Sequence, residues 1–267
     1  MIFRELESLR ILVFTGLNDA LLVAFLGLEG HVCDVFSASK RGGGLSGKRC
    51  AVESDMLKGI AVASANDGAV AMAEYIAGSE AAFVEMMNDK AKALGMKNTN
   101  FVNTNGLDDD NHYSTARDVS LMSRELIKHK KIFEYTTIWT DSLRDGKFQL
   151  ANTNKLIRFY SGANGLKTGS TSKAMCCISA TAERDGMQLI AVVLGAPTSK
   201  ERFAAARGLL DYGFANYSVR KLAEKNEEIC RISVMKGKSS EIPVVVPEEC
   251  SLLLKKGIKD EFEKKID

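Results

Sequence analysis

Two apolar runs flanking a tight turn constrain this chain more than any other stretch of it. Residues 176–182 are small and apolar, Glu183-Arg184-Asp185-Gly186 is a turn sequence, and Met187 to Leu194 forms the second run. An Asp-Gly pair between two such runs reads as a β-hairpin, because those residues accept the positive φ that a tight hairpin turn demands. Just before it stands Lys167-Thr168-Gly169, and 103 residues upstream of that lysine stands Ser64-Ala65-Asn66. On a sheet edge, a glycine such as Gly169 removes the side chain that would keep an extended peptide from pairing with the strand. Lys167 supplies positive charge and Thr168 a hydroxyl for a carboxylate. Ser64 and Asn66, two residues apart in an extended loop, face one cleft, where a hydroxyl relays a proton and an amide holds a carbonyl or amine. Taken singly, these are more simply a polar loop between helices and an exposed lysine where a strand begins. Their order and combination carry the information.

Upstream of the hairpin the pattern is helical. Asp67 is placed to cap a helix carrying Val70, Ala73 and Ile76, with Gly78 ending it. Val84, Met87, Ala91 and Leu94 recur on one helical face, and Gly95 is its stop. Asn103-Thr104-Asn105-Gly106 reads as a turn. Asp108-Asp109-Asp110 reads as a solvated loop, since a calcium loop needs alternating ligands and a closing glutamate. Thr115 with Asp118 forms an N-cap pair for a helix through Val119, Met122 and Leu126. Beyond the break at Gly195-Ala196-Pro197, Phe203, Ala206 and Leu210 line a helix expected to end near Gly213. After Tyr217 lysine and glutamate become frequent and the strands shorten, to Ile229–Val234 and Ile242–Val246. Pro243 and Pro247 mark edge or strand-end positions. This reads as the start of a small β domain.

With 267 residues, 45% hydrophobic and 26% charged, the chain has room for one large domain and one small one. A net charge of +2 is too balanced to argue for a nucleic-acid partner. Three histidines and six cysteines show no metal-ligand spacing, so no metal is expected. Cys176-Cys177 suit a buried strand, and Cys33, Cys50, Cys230 and Cys250 do not make a small disulfide scaffold. Ile11 to Leu28 is mostly apolar and follows Arg10, but Asn18-Asp19 interrupt it and no small-residue cleavage site follows. It reads as a buried helix or as aberrant sequence, with no recognisable signal peptide or anchor.

Five segments together are more specific: residues 55–79 around Ser64-Ala65-Asn66, Asn103 to Leu107, His112 to Asp118, Asn164 to Ala174 around Lys167-Thr168-Gly169, and Gly195 to Phe214. In this order, over about residues 55–245, the chain resembles the low-molecular-weight penicillin-binding proteins, the D-alanyl-D-alanine carboxypeptidases of serine peptidase family S11. The resemblance implies an α/β (α+β) fold of the serine β-lactamase/transpeptidase type, an antiparallel sheet flanked by helices with a helical subdomain. The implied domains are 55–216 as the catalytic part and 217–267 as the start of a truncated β-rich domain. In the family that domain runs further and often ends in an amphipathic membrane helix.

By the same resemblance the protein removes the terminal D-alanine from peptidoglycan stem peptides through an acyl-enzyme, without a cofactor, in the cell envelope, and meets β-lactams as inhibitors. Ser64 would assist proton transfer, Asn66 would bind substrate, and Lys167 and Thr168 would hold the terminal carboxylate. Gly169 and Ser170 would act through the backbone, the Ser170 N–H as half of an oxyanion hole. The family's nucleophile motif, S-x-x-K, does not carry over in the same way. Upstream, those letters occur at Ser37-Ala38-Ser39-Lys40, 27 residues before Ser64, and Arg41-Gly42-Gly43-Gly44 follows instead of an apolar helix. Weak or absent acylation by penicillin is therefore expected, and residues 1–54 are expected to pack poorly. Three accounts stay open for that segment: a slipped reading frame, a decayed gene copy, or a genuine non-catalytic relative. The rival functions are a non-catalytic binder of peptidoglycan peptides or β-lactams and a β-lactamase on the same fold.

Overall fold

The computed structural model describes residues 46–144, 146–235 and 239–257, with side chains from residue 54 onward. Ser37, Lys40, Cys33, the apolar stretch 11–28 and the glycine run 42–44 lie outside the described residues. The chain divides into two units, residues up to 183 with 188–210, and residues 184–187 with 211 onward.

Among the described residues the first unit begins with α1 (Ser46–Ala63). Leu57, Ile60 and Ala61 turn its buried face inward. Helix α2 (Asn66–Ala77) buries Ala69, Met72 and Ala73 and stops at Gly78, whose φ of 80° is the left-handed geometry that glycine supplies. The cap is not Asp67: the N-cap residue is Ala65 and makes no side-chain cap bond, while Asp67 sits in the first turn and accepts from the Gly68 N–H. Helix α3 (Glu80–Ala93) is capped by Ser79 and buries Phe83, Met87 and Ala91, on the face its spacing predicts. Helix α4 (Ala116–Leu126) starts at Thr115, whose hydroxyl accepts from the Asp118 N–H as expected.

These helices share one core with Phe101, Ile132 and, from the sheet, Leu166, Ala174 and Cys177. A buried hydroxyl pair, Ser123 to Ser179 at 2.7 Å, ties α4 to that sheet. A short helix α5 (Phe133–Thr136) leads into the hairpin β1 (Thr140–Leu143) and β2 (Phe148–Ala151), neither of which announces itself by alternation. Then come α6 (Leu156–Phe159), β3 (Ala163–Thr171), β4 (Met175–Arg184) and β5 (Met187–Ala196), in spatial order β3-β4-β5. The expected hairpin is β4–β5, turning at Asp185 and Gly186, both at positive φ. Strand β3 pairs antiparallel with β4, Lys167 opposite Ser179, and among the described residues is one of the two edges of the three-stranded sheet. Helix α7 (Ser199–Asn216) buries Phe203, Ala206 and Leu210 but runs past Gly213, the stop the sequence suggests.

In the second unit, β6 (Tyr217–Ala223) pairs with β9 (Cys250–Lys255), and β7 (Glu228–Ser233) with β8 (Glu241–Val245). Both ladders are two-stranded, so Pro243 in β8 has the edge position that a residue without an N–H requires. Among the described residues no helix is long and apolar enough to cross a membrane.

Candidate active site

One polypeptide joint sets the first wall of the cleft. Helix α1 ends at Ala63 and α2 begins at Asn66, so two residues turn the chain. Ser64 makes the turn with φ of 60°, a left-handed conformation that costs a non-glycine residue energy. The expected extended loop is thus a tight corner, with Asn66 in the first turn of a helix. Small neighbours permit it: a Cβ on Gly68 would stand 3.3 Å from Ile60 and 3.4 Å from Ala65. The Ala65 N–H bonds Gly59 O at 3.1 Å, and the Thr153 N–H bonds Val62 O at 3.1 Å, pinning the corner from both sides.

Edge strand β3 is the second wall. Lys167 is 3% exposed, and its Nζ donates to Ser64 Oγ and, at 2.6 Å, to Thr168 O. Burial, and next the charge of Arg202, pull its pKa from an ordinary 10.5 to about 7. Thr168 is 4% exposed and donates to Thr153 Oγ1 at 2.6 Å, which leaves the Thr153 hydroxyl proton available to the cleft. Arg202, on α7 and 6% exposed, gives Nη1 to Gly169 O at 3.2 Å and to Cys177 O at 3.3 Å, and Nη2 to Ser199 Oγ at 3.1 Å. Its Nε is buried with no hydrogen-bond partner among the described residues. Burial lowers its pKa, yet a guanidinium stays charged.

The third wall is Asn105-Gly106-Leu107, held from behind. Glu80 Oε1 accepts from the Thr104 N–H at 3.1 Å and hydroxyl at 2.8 Å, and Asn103 Oδ1 from the Gly106 N–H at 2.7 Å. The Asn88 side chain takes both backbone groups of Phe101. Asp118 Oδ2 accepts from the Asn98 N–H at 2.7 Å and from Thr99 Oγ1 at 2.8 Å. Lys173, in the β3–β4 turn, donates its N–H to Asp108 at 3.2 Å and its Nζ to Asp110 at 2.5 Å. The three walls enclose a cleft of about 370 Å³ that Ser64, Asn66, Lys167, Thr168, Gly169 and Ser170 all line.

Those six sequence-derived residues therefore meet, although Ser64 and Lys167 are 103 positions apart. Ser37 and Lys40 lie outside the described residues. The letters S-x-x-K recur at Ser170 to Lys173, but there they span a strand end and a turn, and Lys173 is bound to Asp110. Thr153 and Arg202 are additions to the sequence reading. Nothing in the sequence marks Thr153. Arg202 does leave a trace: it lies four and eight residues before Ala206 and Leu210, a charge on the apolar stripe of its helix. Among the described residues no cluster of side chains fits a metal ion.

Helices flanking an antiparallel sheet, with a Lys-Thr-Gly edge strand facing a Ser-x-Asn corner, define the penicillin-binding-protein and serine β-lactamase class of fold. A sequence model described as D-alanyl-D-alanine carboxypeptidase, Peptidase S11, matches residues 45–198, and one for the penicillin-binding protein 5 C-terminal domain matches residues 217–267. D-alanyl-D-alanine carboxypeptidase DacF of Bacillus subtilis is 48% identical over 206 residues, 76% of this chain and 53% of that protein. The crystal structure of a peptidoglycan synthesis regulatory factor (PBP3) from Streptococcus pneumoniae superposes with a TM-score of 0.68 at 31% identity, covering 77% of this chain and 64% of that one. Ampicillin-bound penicillin-binding protein D2 of Listeria monocytogenes gives a TM-score of 0.64 at 30% identity, covering 76% and 88%. The chain belongs to the S11 family of D-alanyl-D-alanine carboxypeptidases. It spans about half the length of the curated relatives it matches.

Proposed function

We propose that the cleft takes the D-alanyl-D-alanine end of a peptidoglycan stem peptide in the cell envelope, and that the reaction is serine-type removal of the terminal D-alanine through an acyl-enzyme, with no cofactor. The observation that carries this reading is the convergence of Ser64, Asn66, Lys167 and Thr168 on one cleft. An extended peptide would pair with the open side of β3, where Gly169 lets its backbone approach. Its carboxylate would lie against Thr168, Thr153 and the Arg202 guanidinium, within the field of Lys167. The Asn66 amide would hold a substrate carbonyl, Ser64 and Lys167 would move the proton, and the Ser170 N–H would face the oxyanion. The relatives bound to ampicillin and cefotaxime support β-lactams as ligands of the same cleft. Residues 55–216 would form the catalytic part, and 217–267 the start of the second domain.

The test is calorimetric titration of the whole chain with an N-acylated tripeptide ending in D-Ala-D-Ala and with its C-terminal amide. The free carboxylate should bind at least about tenfold more tightly, as charge-assisted hydrogen bonds require, and Arg202→Ala should erase the difference. Equal affinity for the two peptides, or none for either, overturns the reading. Release of free D-alanine in the same mixture separates turnover from binding alone.

A further inference from the structure

We propose that Lys173 is a positioning residue for the bound peptide: by holding Asp108 and Asp110 it clasps the Asn105-Gly106-Leu107 wall to the end of edge strand β3, and so fixes the width of the cleft where the peptide leaves it. This role rests on the functional reading above and extends it to the residue ahead of the D-alanine pair. Residues 105–107 and 169–171 line two walls of the one cleft. Just past their ends, the Lys173 N–H donates to Asp108 Oδ2 at 3.2 Å and its Nζ to Asp110 Oδ1, joining segments 65 and 63 positions apart. Each side of the clasp is anchored on its own. Ala174, next to the lysine, is fully buried in the core; its N–H bonds Thr171 Oγ1 at 2.9 Å and its carbonyl accepts from Cys177 Sγ at 3.2 Å. In the facing loop, Asp109 Oδ1 accepts from the Asn111 N–H at 2.8 Å, and Leu107 O accepts from Asn103 Nδ2 at 3.0 Å. Lys173 therefore joins two pieces that each hold their own shape, and its contacts set the distance between them.

The direction of the peptide follows from where its end is held. With the carboxylate against Thr168 and the reacting carbonyl before the Ser170 N–H, the chain runs from Thr168 toward Thr171. A strand rises about 3.3 Å per residue, so the two D-alanines take up the stretch opposite Thr168 to Ser170. The residue before them arrives at Thr171, between the β3–β4 turn and Leu107, a leucine 56% exposed at the lip of the cleft. Lys173 reaches neither the carboxylate nor the scissile bond, and acts through the placement of Leu107. The side chains of the ion pair are 47% and 85% exposed, so its hold is modest and is screened by salt. Their hydrogen bond, and next their mutual attraction, lowers the pKa of Asp110; the same hydrogen bond raises that of Lys173. Both groups stay charged above the lowered carboxyl value and below the raised amine value, which spans the neutral range. Salt, and not pH, is the lever that loosens the clasp.

The experiment is calorimetric titration of the whole chain with acetylated L-Ala-D-Ala-D-Ala and with acetylated D-Ala-D-Ala, which stops short of the clasp. Neither ligand carries a charged side chain, so a difference between them reports on fit at the lip. Lys173→Met should weaken the tripeptide about two- to fivefold at low salt, the span of an exposed ion pair, and leave the dipeptide unchanged. Asp110→Ala should do the same, and the double variant should lose no more than either single one, as the two ends of one contact must. Lys173→Arg should restore the wild-type ratio of the two affinities, and high salt should bring the wild-type ratio down to that of Lys173→Met. Equal weakening of both peptides shows a merely structural role and overturns the proposal. Unchanged tripeptide affinity, or losses that add in the double variant, also overturn it and leave the functional reading intact. No binding of either peptide to the folded wild type overturns both.

Discussion

Lys167→Met gives the sharpest physical test of the cleft. The lysine amine is buried, and its pKa falls from an ordinary 10.5 to about 7 because burial, then Arg202, disfavours the charge. At about 1.4 kcal/mol per pKa unit, a protonated Lys167 costs the fold at most roughly 5 kcal/mol below pH 7. Methionine removes that cost and fills nearly the same volume, but orphans Ser64 Oγ and Thr168 O, at about 1–3 kcal/mol each. At pH 6 the variant should therefore lie between about 1 kcal/mol less stable and about 3 kcal/mol more stable. The pH dependence is cleaner. Above about pH 7 the folded amine has lost its proton, while the unfolded amine keeps its own up to 10.5. The unfolded state then binds more protons, so wild-type stability rises with pH through that window and the variant's does not. The difference between the two should change by about 1.4 kcal/mol per pH unit between roughly pH 7.5 and 9.5. Urea unfolding followed through Trp139, the single tryptophan, reports on the first unit. Parallel stability curves for wild type and variant, or a wild type that loses stability as pH rises in this window, would refute the argument.

Further outcomes follow from the same contacts. Phe83→Ala opens a hole beneath a fully buried ring and should cost about 3–5 kcal/mol in urea titrations. Glu80→Ala strips two hydrogen bonds from Thr104; a loss of about 1–3 kcal/mol is expected, with faster proteolysis at residues 105–107, and unchanged cutting there would show that the loop is held otherwise. Gly165→Ala would press a methyl to 3.0 Å from Thr181 Oγ1 and 3.2 Å from Thr136 Oγ1, two hydroxyls already bonded to Asn164. A melting curve should show about 1–3 kcal/mol of destabilisation.

Helices α3 and α4 were legible because their buried residues repeat at helical spacing and their caps are local in sequence. The β4–β5 hairpin was legible for a similar reason: a turn signal fixes its own neighbours. What escaped depends on partners distant in the chain. β1 and β2 have four residues each and little apolar alternation, so only their pairing makes them strands. β6 finds β9 across the intervening β7–β8 ladder, a contact that no window of sequence contains. The helix running through Gly213 shows the weakness of a lone glycine as a stop, since it costs only about 1 kcal/mol inside a helix. At the cleft, residue types pointed to Ser64, Asn66 and Lys167, but nothing local foretells that Lys167 is buried or that Ser64 turns left-handed. Both follow from the walls closing on one another.

The two-residue corner at Ser64 and Ala65 also bears on how this chain can change over time. Helices α1 and α2 are each anchored by their own buried faces, so the corner has no slack to absorb a change in length. One residue added inside α2 ahead of Ala69 would rotate what precedes it by about 100° about the helix axis, carrying Asn66 out of the cleft. Substitutions can accumulate on the exposed sides of both helices, but insertions and deletions between Gly59 and Gly68 should be purged. A library of single-codon insertions across residues 46–77, selected for folded protein and for ligand binding, would map that intolerance as a sharp gap centred on the corner.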